Sequence, residues 1–309
     1  MSRSRCRGAG LAVLAVVVLA GCGSGAGSPD GPTVVVTTTQ LGDLARAVGG
    51  ARAAVRQILD PRSDPHAYEP RPSDVKAVSG ANVVVRSGGD IDAWLGDVLR
   101  NAGSDARTVT ILDEIADPRR DADGIDPHWW QDPRDAETAV ERIRDALAAA
   151  DPAGRATYAA NAERYLERLR AMERAIARCI AAIPASQRKL VTDHDALAYY
   201  ADRFGIDVVG TVIPASSTQA QASAGEVARL VRTIRSSGVS TIFPESSLNP
   251  KLTTAIAREA HAKVGPALYA DSLGVKGSAG ATYLGALRAN TLALAAGLGD
   301  GRARCALPS

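Results

Sequence analysis

The stretch DPAGRATYAANAERYLERLRAMERAIARCIAAIP, residues 151–184, separates two halves of the chain. Pro152 suits the first turn of a helix, where its missing N–H needs no partner, and Pro184 cannot continue one. Between them, apolar residues recur at the spacing of an amphipathic helix: Tyr158, Tyr165, Leu169, Met172, Ile176 and Ile180. About 30 residues at a rise of 1.5 Å give a rod of roughly 45 Å. The pattern predicts a rigid helix over residues 152–183 rather than a flexible linker.

The half before this helix, residues 33–151, alternates apolar, β-branched runs with helical stretches. The predicted strands are Thr33–Thr39, Val55–Leu59, Asn82–Ser87 and Arg107–Leu112. The predicted helices are Gln40–Val48, a segment capped by Ser73 that ends near Ser79, Ile91–Asn101 and Asp135–Ala150. Apolar strands separated by helices imply a parallel sheet with helices on both faces.

The half after it, residues 184–309, repeats this alternation. The predicted strands are Lys189–Thr192, Asp207–Ile213, Thr241–Phe243 and Val264–Leu268. The predicted helices are Ala196–Phe204, Ala224–Ser237, Pro250–Ala262 and Thr282–Leu298. Residues 216–225 are small and polar, which predicts a mobile loop. We therefore expect an α/β protein of two lobes, each with a mostly parallel sheet flanked by helices, joined by one long helix.

The first 32 residues are expected to lie outside this fold. Three arginines precede an apolar run, residues 11–20, that is too short to span a bilayer and reads as a signal peptide over residues 1–21. The run ends in Leu-Ala-Gly-Cys, with Cys22 as the residue that would be lipidated after cleavage. A Gly/Ser-rich tether follows, so we predict an extracytoplasmic lipoprotein held at the cell membrane through residues 22–32. An ordinary signal peptide with a chance cysteine is the alternative.

Net charge and the remaining cysteines restrict the partners and the chemistry. Cleavage before Cys22 removes three arginines and no acid, so the net charge falls from +2 to −1. A near-neutral chain argues against nucleic acid and against a basic membrane-binding patch. Cys179 and Cys305 remain as an even pair in an exported protein, which favours a disulfide over two separate thiols. Because no CxxC occurs, a cysteine-based zinc site is not expected.

Four residues at predicted strand ends form a candidate metal site. Two of the four histidines share an Asp-Pro-His setting, Asp64-Pro65-His66 and Asp126-Pro127-His128. His194 and Asp271 follow predicted strands in the other half, where α/β sheets present ligands. Three imidazoles and one carboxylate can close around Zn²⁺, with Mn²⁺ as the main rival. His261, on a predicted helix, is interpreted as a surface or packing residue.

The loop of residues 113–126 is acidic and leads into His128. Its acids are Asp113, Glu114, Asp117, Asp121, Asp123 and Asp126. We interpret it as a solvated surface loop, with weak collection of cations for the site behind it as the alternative.

Five segments together resemble the zinc/manganese substrate-binding proteins of ABC uptake systems. They are DPHAYEPRPSDVK, DPHWWQDP, LVTDHDALAYYADRFGI, IFPESSLNPKLTTAIAREA and LYADSLG, in the family's order along essentially all of the mature chain. The resemblance implies two α/β lobes joined by a long helix, with the metal between them. It implies His66, His128, His194 and Asp271 as ligands; some manganese-type members carry Glu at the third position. The chain departs from the family pattern in two respects: many zinc-specific members have a His-rich loop where this loop is acidic, and the segment before Tyr283 matches only loosely.

These observations predict a receptor that captures Zn²⁺, or Mn²⁺ as second choice, and delivers it to an ABC permease, as a monomer. A zinc-dependent hydrolase is a competing hypothesis, with Glu69 and Asp195 as candidate bases; four protein ligands would leave little room for a catalytic water. A metal-binding surface adhesin is another, which the lipid anchor permits without naming a partner. Because the joining helix is stiff, only small closure of the lobes is expected.

Overall fold

The structure is a computed structural model that describes residues 1, 30–121, 124–299, 303 and 305–308. The predicted signal peptide, Cys22 and most of the tether lie outside these residues. Over the described ranges, no helix combines the length and the apolar composition that crossing a membrane requires.

Eight strands and nine α-helices alternate along the described residues. The strands are β1 Thr33–Val36, β2 Ala54–Gln57, β3 Val83–Arg86, β4 Arg107–Thr110, β5 Lys189–Thr192, β6 Asp207–Thr211, β7 Thr241–Ile242 and β8 Lys263–Val264. The helices are α1 Thr39–Gly49, α2 Pro72–Ser79, α3 Leu95–Ala102, α4 Pro133–Ala150, α5 Arg155–Ala181, α6 Ala198–Phe204, α7 Ala224–Ser237, α8 Lys251–Ala260 and α9 Tyr283–Leu298.

Several predicted boundaries were wrong, each for a local reason. The first strand stops at Val36 because the Thr38 hydroxyl accepts the Leu41 N–H and starts α1. Ser73 does not cap α2; Arg71 occupies the cap position, and its N–H donates to the Asp74 carboxylate over 2.7 Å. The predicted strand Val264–Leu268 is short, and Leu268 pairs separately with Glu245.

All strands pair in parallel, in the same order in both halves. The first sheet runs β2-β1-β3-β4. In the second half β5 pairs with β6 and β7 with β8, and the Thr192–Phe243 bridge joins β5 to β7. Each order reverses beside its first strand, which is the position where open α/β sheets bind ligands. The α/β class and the parallel sheets predicted from sequence are confirmed.

The β1 and β3 strands are apolar on both faces because each face is covered by helices. Val34 and Val83 pack in the large core shared with α1, α4 and α5. Val35 and Val84 point to the opposite face, where they meet residues of α2 and α3. Alternating side chains therefore bury both faces, as continuous valine runs in parallel sheets do.

Helix α5 spans 27 residues and follows a 3-10 turn at Pro152–Gly154. At 1.5 Å per residue it is roughly 40 Å long. Its apolar side chains belong to the core cluster that also holds Val34 of the first half and Leu190 of the second. Cys179, near its end, forms a disulfide with Cys305, with a Cα–Cα distance of 5.0 Å. The helix thus packs between both halves and is covalently joined to the C-terminal tail.

Candidate metal centre

His66 is positioned by a short turn that follows β2. Asp64 caps a 3-10 turn at Pro65–Ala67, where its Oδ1 accepts the His66 N–H over 3.0 Å. The other oxygen, Oδ2, accepts the Thr218 hydroxyl from the second half over 2.7 Å. The His66 side chain is 2% exposed. The Asp64 carboxylate therefore fixes the backbone of His66 and connects this turn to the loop of residues 216–225.

His128 is fully buried and is oriented by Asp126. The Asp126 Oδ1 lies 2.7 Å from Nδ1 of the imidazole and also accepts the His128 N–H over 3.0 Å. Asp126 itself is fully buried, so its interpretation as part of a solvated acidic loop was wrong. Asp113, Glu114 and Asp117 in the same loop are exposed, as expected. The second Asp-Pro-His thus uses its carboxylate to hold the ring, leaving Nε2 to face the site.

His194 follows β5 and is oriented by Glu245, which follows β7. Its Nδ1 hydrogen-bonds Glu245 Oε1, and both side chains are buried. The Thr192 hydroxyl donates to the His194 carbonyl over 2.8 Å. Because β5 and β7 are adjacent at the point where strand order reverses, their carboxyl ends bring the imidazole and the carboxylate together.

The segment around Asp271 is fastened to the first half by buried hydrogen bonds. Gln40 Nε2 donates to the Asp271 carbonyl over 3.0 Å, and the Leu273 N–H donates to the Thr39 hydroxyl over 2.8 Å. Trp130 Nε1 and Gln131 Nε2 both donate to the Ala270 carbonyl over 2.9 Å. The loop from the second half is thus held against residues of the first, and the carboxylate is placed between the histidines.

The four side chains converge on one point. A set of ligand atoms, one from each of His66, His128, His194 and Asp271, lies within 4.8 Å of one another. Asp271 Oδ2 is 3.6 Å from His66 Nε2 and 3.3 Å from His194 Nε2, and Oδ1 is 3.3 Å from His128 Nε2. None of the three Nε2 atoms or the two carboxylate oxygens has a hydrogen-bond partner among the described residues. Buried polar atoms without partners are costly, so this arrangement fits a cation that all of them bind.

The charges within the cluster shift the pKa values in opposite directions. Burial lowers the pKa of His66, although the charge of Asp271 acts the other way. Burial would also lower the pKa of His128, but the carboxylates of Asp126 and Asp271 beside the ring raise it to about 9. For His194, the charges of Glu245 and Asp271 outweigh burial and hold the pKa well above its ordinary value. In the absence of metal, the carboxylates that face His128 and His194 therefore stabilise the protonated form of these two rings.

The other candidates from the sequence are not among the four residues of this cluster. Glu69 is exposed, and Asp195 is not among the converging ligands. His261 is exposed at the end of α8, where its φ is 59°. Sequence reasoning assigned no role to Glu245, although it lies in one of the segments that carry the resemblance. The sequence feature that could have identified Glu245 is its position shortly after an apolar strand, and the same feature identified His194.

Comparison with known proteins agrees with this architecture. A family model described as "Zinc-uptake complex component A periplasmic" matches residues 34–297. The manganese-binding lipoprotein MntA of Halalkalibacterium halodurans is 32% identical over 293 residues, covering 93% of this chain and 97% of that protein. The iron-binding protein YfeA of Yersinia pestis is 30% identical over 270 residues, covering 86% of each.

Among solved structures, the periplasmic zinc-binding protein TroA of Treponema pallidum superposes with a TM-score of 0.82. The match covers 87% of this chain and 99% of that one, at 24% sequence identity. At this identity the likeness concerns the fold, two α/β halves of the same arrangement.

Proposed function

The chain belongs to the family of the periplasmic zinc-uptake complex component A, and from that premise we propose that its cargo is Zn²⁺, bound by His66, His128, His194 and Asp271. It is a substrate-binding protein of a metal ABC transporter, and the family consists of binding proteins, not enzymes. One observation supports this ligand set above all: three imidazole nitrogens and a carboxylate, all buried and all without other partners, converge within 4.8 Å.

The donor set favours zinc over manganese. Three neutral imidazoles and one carboxylate suit tetrahedral Zn²⁺, whereas Mn²⁺ prefers more oxygen ligands. For similar sites, affinity also rises from Mn²⁺ towards Zn²⁺. His194 matters here because a carboxylate at that position would give two oxygen-donating residues instead of one.

Manganese is the second candidate, and a specific observation favours it. The relative of Halalkalibacterium halodurans that shares 32% of its residues with this chain is named for manganese. Both oxygens of Asp271 face the histidines, over 3.3 to 3.6 Å, so a bidentate carboxylate would supply a second oxygen. A site with three nitrogens and two oxygens is closer to the preference of Mn²⁺.

Capture requires the metal to displace protons. The raised pKa values of His128 and His194 favour protonated rings in the metal-free state, and protonated imidazole cannot ligate. Asp126 and Glu245 keep each ring in place while its Nε2 exchanges a proton for the metal. Binding should therefore weaken as the pH falls.

Relatives named as lipoproteins support anchoring of this chain through lipidated Cys22 at the outer face of the cell membrane. Delivery would then occur to the permease of an ABC transporter in the same membrane, with the receptor acting as a monomer. A role as an adhesin is not favoured, because no feature of the described surface names a partner for it.

Metal titration of the purified mature chain tests the proposal. After removal of metal with a chelator, Zn²⁺ and Mn²⁺ are titrated by calorimetry into the unsubstituted chain and into His194→Ala and Asp271→Ala. We expect Zn²⁺ to bind more tightly than Mn²⁺ and both variants to lose affinity. His261→Ala is the matched control, since it removes the one histidine outside the cluster. Tighter binding of Mn²⁺ would overturn the metal assignment, and equal loss in His261→Ala would overturn the ligand set.

A further inference from the structure

A cavity of about 550 Å³ lies away from the metal cluster, between α1, α5 and the start of α9. Three arginines line it: Arg46 from α1, and Arg164 and Arg168 from α5. All three are exposed. Arg164 and Arg168 stand four residues apart on the same helix, so their charges face the cavity side by side and repel each other.

None of these guanidinium groups is neutralised by a salt bridge. Across the described residues, no carboxylate lies within 4.0 Å of any of the three. Arg46 donates to the side-chain oxygen of Gln57 over 2.8 Å, and Arg164 donates to that of Asn161. Both acceptors are neutral amides, so these hydrogen bonds bring no negative charge to the arginines.

The one acid that lines the cavity is already engaged. Asp43 Oδ2 accepts the Tyr283 N–H over 2.9 Å and the Tyr165 hydroxyl over 3.4 Å. Burial raises the pKa of Asp43, although these hydrogen bonds and Arg46 oppose the shift. With three guanidinium groups and at most one carboxylate, the cavity has an excess of positive charge. A guanidinium group can bind two phosphate oxygens at once, and it is more weakly hydrated than an ammonium group. Arginine side chains are therefore suited to binding phosphate.

The cavity lies beside the point where the N-terminal tether joins the fold. The Gly31 N–H donates to the Arg52 carbonyl over 3.1 Å. The side chain of Arg52 pairs with Asp151, and Asp151 also accepts the Tyr158 hydroxyl of α5 over 2.7 Å. Tyr158 precedes Arg164 and Arg168 on α5 by six and ten residues, or roughly 9 and 15 Å along the axis. Eight Cα–Cα steps separate Cys22 from Asp30, so the distance between them is at most roughly 28 Å. A membrane surface at Cys22 is therefore within reach of the cavity.

From this placement we propose that the cavity formed by Arg46, Arg164 and Arg168 binds a phosphate group, supplied by the anionic lipid headgroups of the membrane to which the protein is tethered. Such binding fixes the orientation of the receptor against the bilayer. The source of the phosphate rests on the proposed lipid anchor; the phosphate site itself does not. The near-neutral net charge argued against a basic membrane patch, but composition averages over the surface, and the fold brings these three arginines together from two distant segments.

Vesicle binding of the chain from residue 23, which retains every described strand and helix, tests the lipid source. The protein is sedimented with vesicles of phosphatidylcholine alone or mixed with phosphatidylglycerol, at low ionic strength. We expect binding only to the mixed vesicles, and a loss of about tenfold or more in Arg164→Gln/Arg168→Gln. Arg174→Gln/Arg178→Gln is the matched control, because it removes two exposed arginines at the same spacing on the same helix. It should lose less than about twofold.

Inorganic phosphate provides the second arm, read as a rise in thermal midpoint. A phosphate-dependent rise that Arg164→Gln/Arg168→Gln abolishes, without preference for anionic vesicles, would support the phosphate site and reject the headgroup as its source. Equal losses in the two double variants, or no response to vesicles and phosphate in the unsubstituted chain, would overturn the proposal. The same two measurements on Arg46→Gln, a substitution on α1, test the site independently of the substitutions on α5. Zn²⁺ affinity measured on the same preparations should not change, which separates this proposal from that for the metal site.

Discussion

Replacement of Glu245 tests whether the carboxylate behind a metal-binding histidine sets the affinity of this site. Glu245 is 2% exposed, and its Oε1 hydrogen-bonds Nδ1 of His194. Its own N–H donates to Asp193 Oδ2 over 2.7 Å, so the backbone is held independently of the side chain. Glu245→Gln therefore keeps the shape and the backbone contacts, and removes the charge that faces the imidazole.

The expected loss follows from what the carboxylate does to the ring. Groups that hold a metal-binding histidine typically contribute 10- to 100-fold in metal affinity, or about 1.4–2.7 kcal/mol. Glutamine still accepts a hydrogen bond from Nδ1, but a neutral acceptor is about half as strong as a charged one. We therefore expect a loss of about tenfold for Glu245→Gln and one near a hundredfold for Glu245→Ala, which leaves the ring free to turn.

Proton competition makes this loss depend on pH in a defined direction. Burial acts to lower the pKa of His194, but the charge of Glu245 helps to hold that pKa well above its ordinary value. Removing that charge lets the ring lose its proton more easily, which favours metal binding where protons compete. The loss in Glu245→Gln should therefore be smaller at low pH than at high pH.

Competition between the protein and a zinc chelator of known affinity, followed at two pH values, measures the loss. Glu259→Gln is the control, because it makes the same substitution at an exposed position on α8. A loss below about twofold in both Glu245 variants, or a loss as large in the control, would refute the role given to the carboxylate.

Three further predictions use other parts of the molecule. His194→Glu should lower the ratio of the Kd for Mn²⁺ to that for Zn²⁺ by about tenfold, since it exchanges a nitrogen for oxygen ligands; calorimetry checks this, and an unchanged ratio would contradict it. Because the pKa of His128 is raised to about 9 from 6.5, its protonation contributes stability to the metal-free protein that is complete below about pH 6.5 and is lost as the pH rises through 9. Metal affinity should rise over the same interval, with release of about two protons at neutral pH, from His128 and His194. Thermal melts and calorimetry in buffers of different ionisation enthalpy measure both trends, and a histidine contribution to stability that rises together with the affinity would exclude this account. Cys305→Ser should lower the free energy of unfolding by about 2–5 kcal/mol, because the disulfide closes a loop of 126 residues; urea unfolding measures it, with Zn²⁺ affinity expected to stay the same.

The alternation of strands and helices could be predicted because it depends on local patterns. Val34, Val35 and Val36 are buried on both faces of one sheet, and only a run without polar residues meets that requirement. Helix α7 was predicted over the same residues that the structure gives it. Its ends are determined locally, since Ser223 and Glu226 form a capping box and Gly238 ends the helix in the left-handed region. The boundaries that were wrong, at Thr38 and Asp74, depend on which side chain reaches a backbone N–H, and composition does not determine that.

The sequence by itself determined the fold class and the identity of the four converging residues, because both follow from position: apolar runs form strands, and polar residues after them lie at the carboxyl edge of a parallel sheet. Only the tertiary structure decided which carboxylate serves which histidine. The repeated Asp-Pro-His placed Asp126 near His128, but only folding shows that Asp126 and Glu245 are buried against Nδ1 of His128 and His194. The same holds for Arg46, Arg164 and Arg168, whose charges matter together only because α1 and α5 pack side by side. Ligand atoms must meet within a few ångströms, and distances between residues far apart in the chain are fixed by packing, not by local sequence.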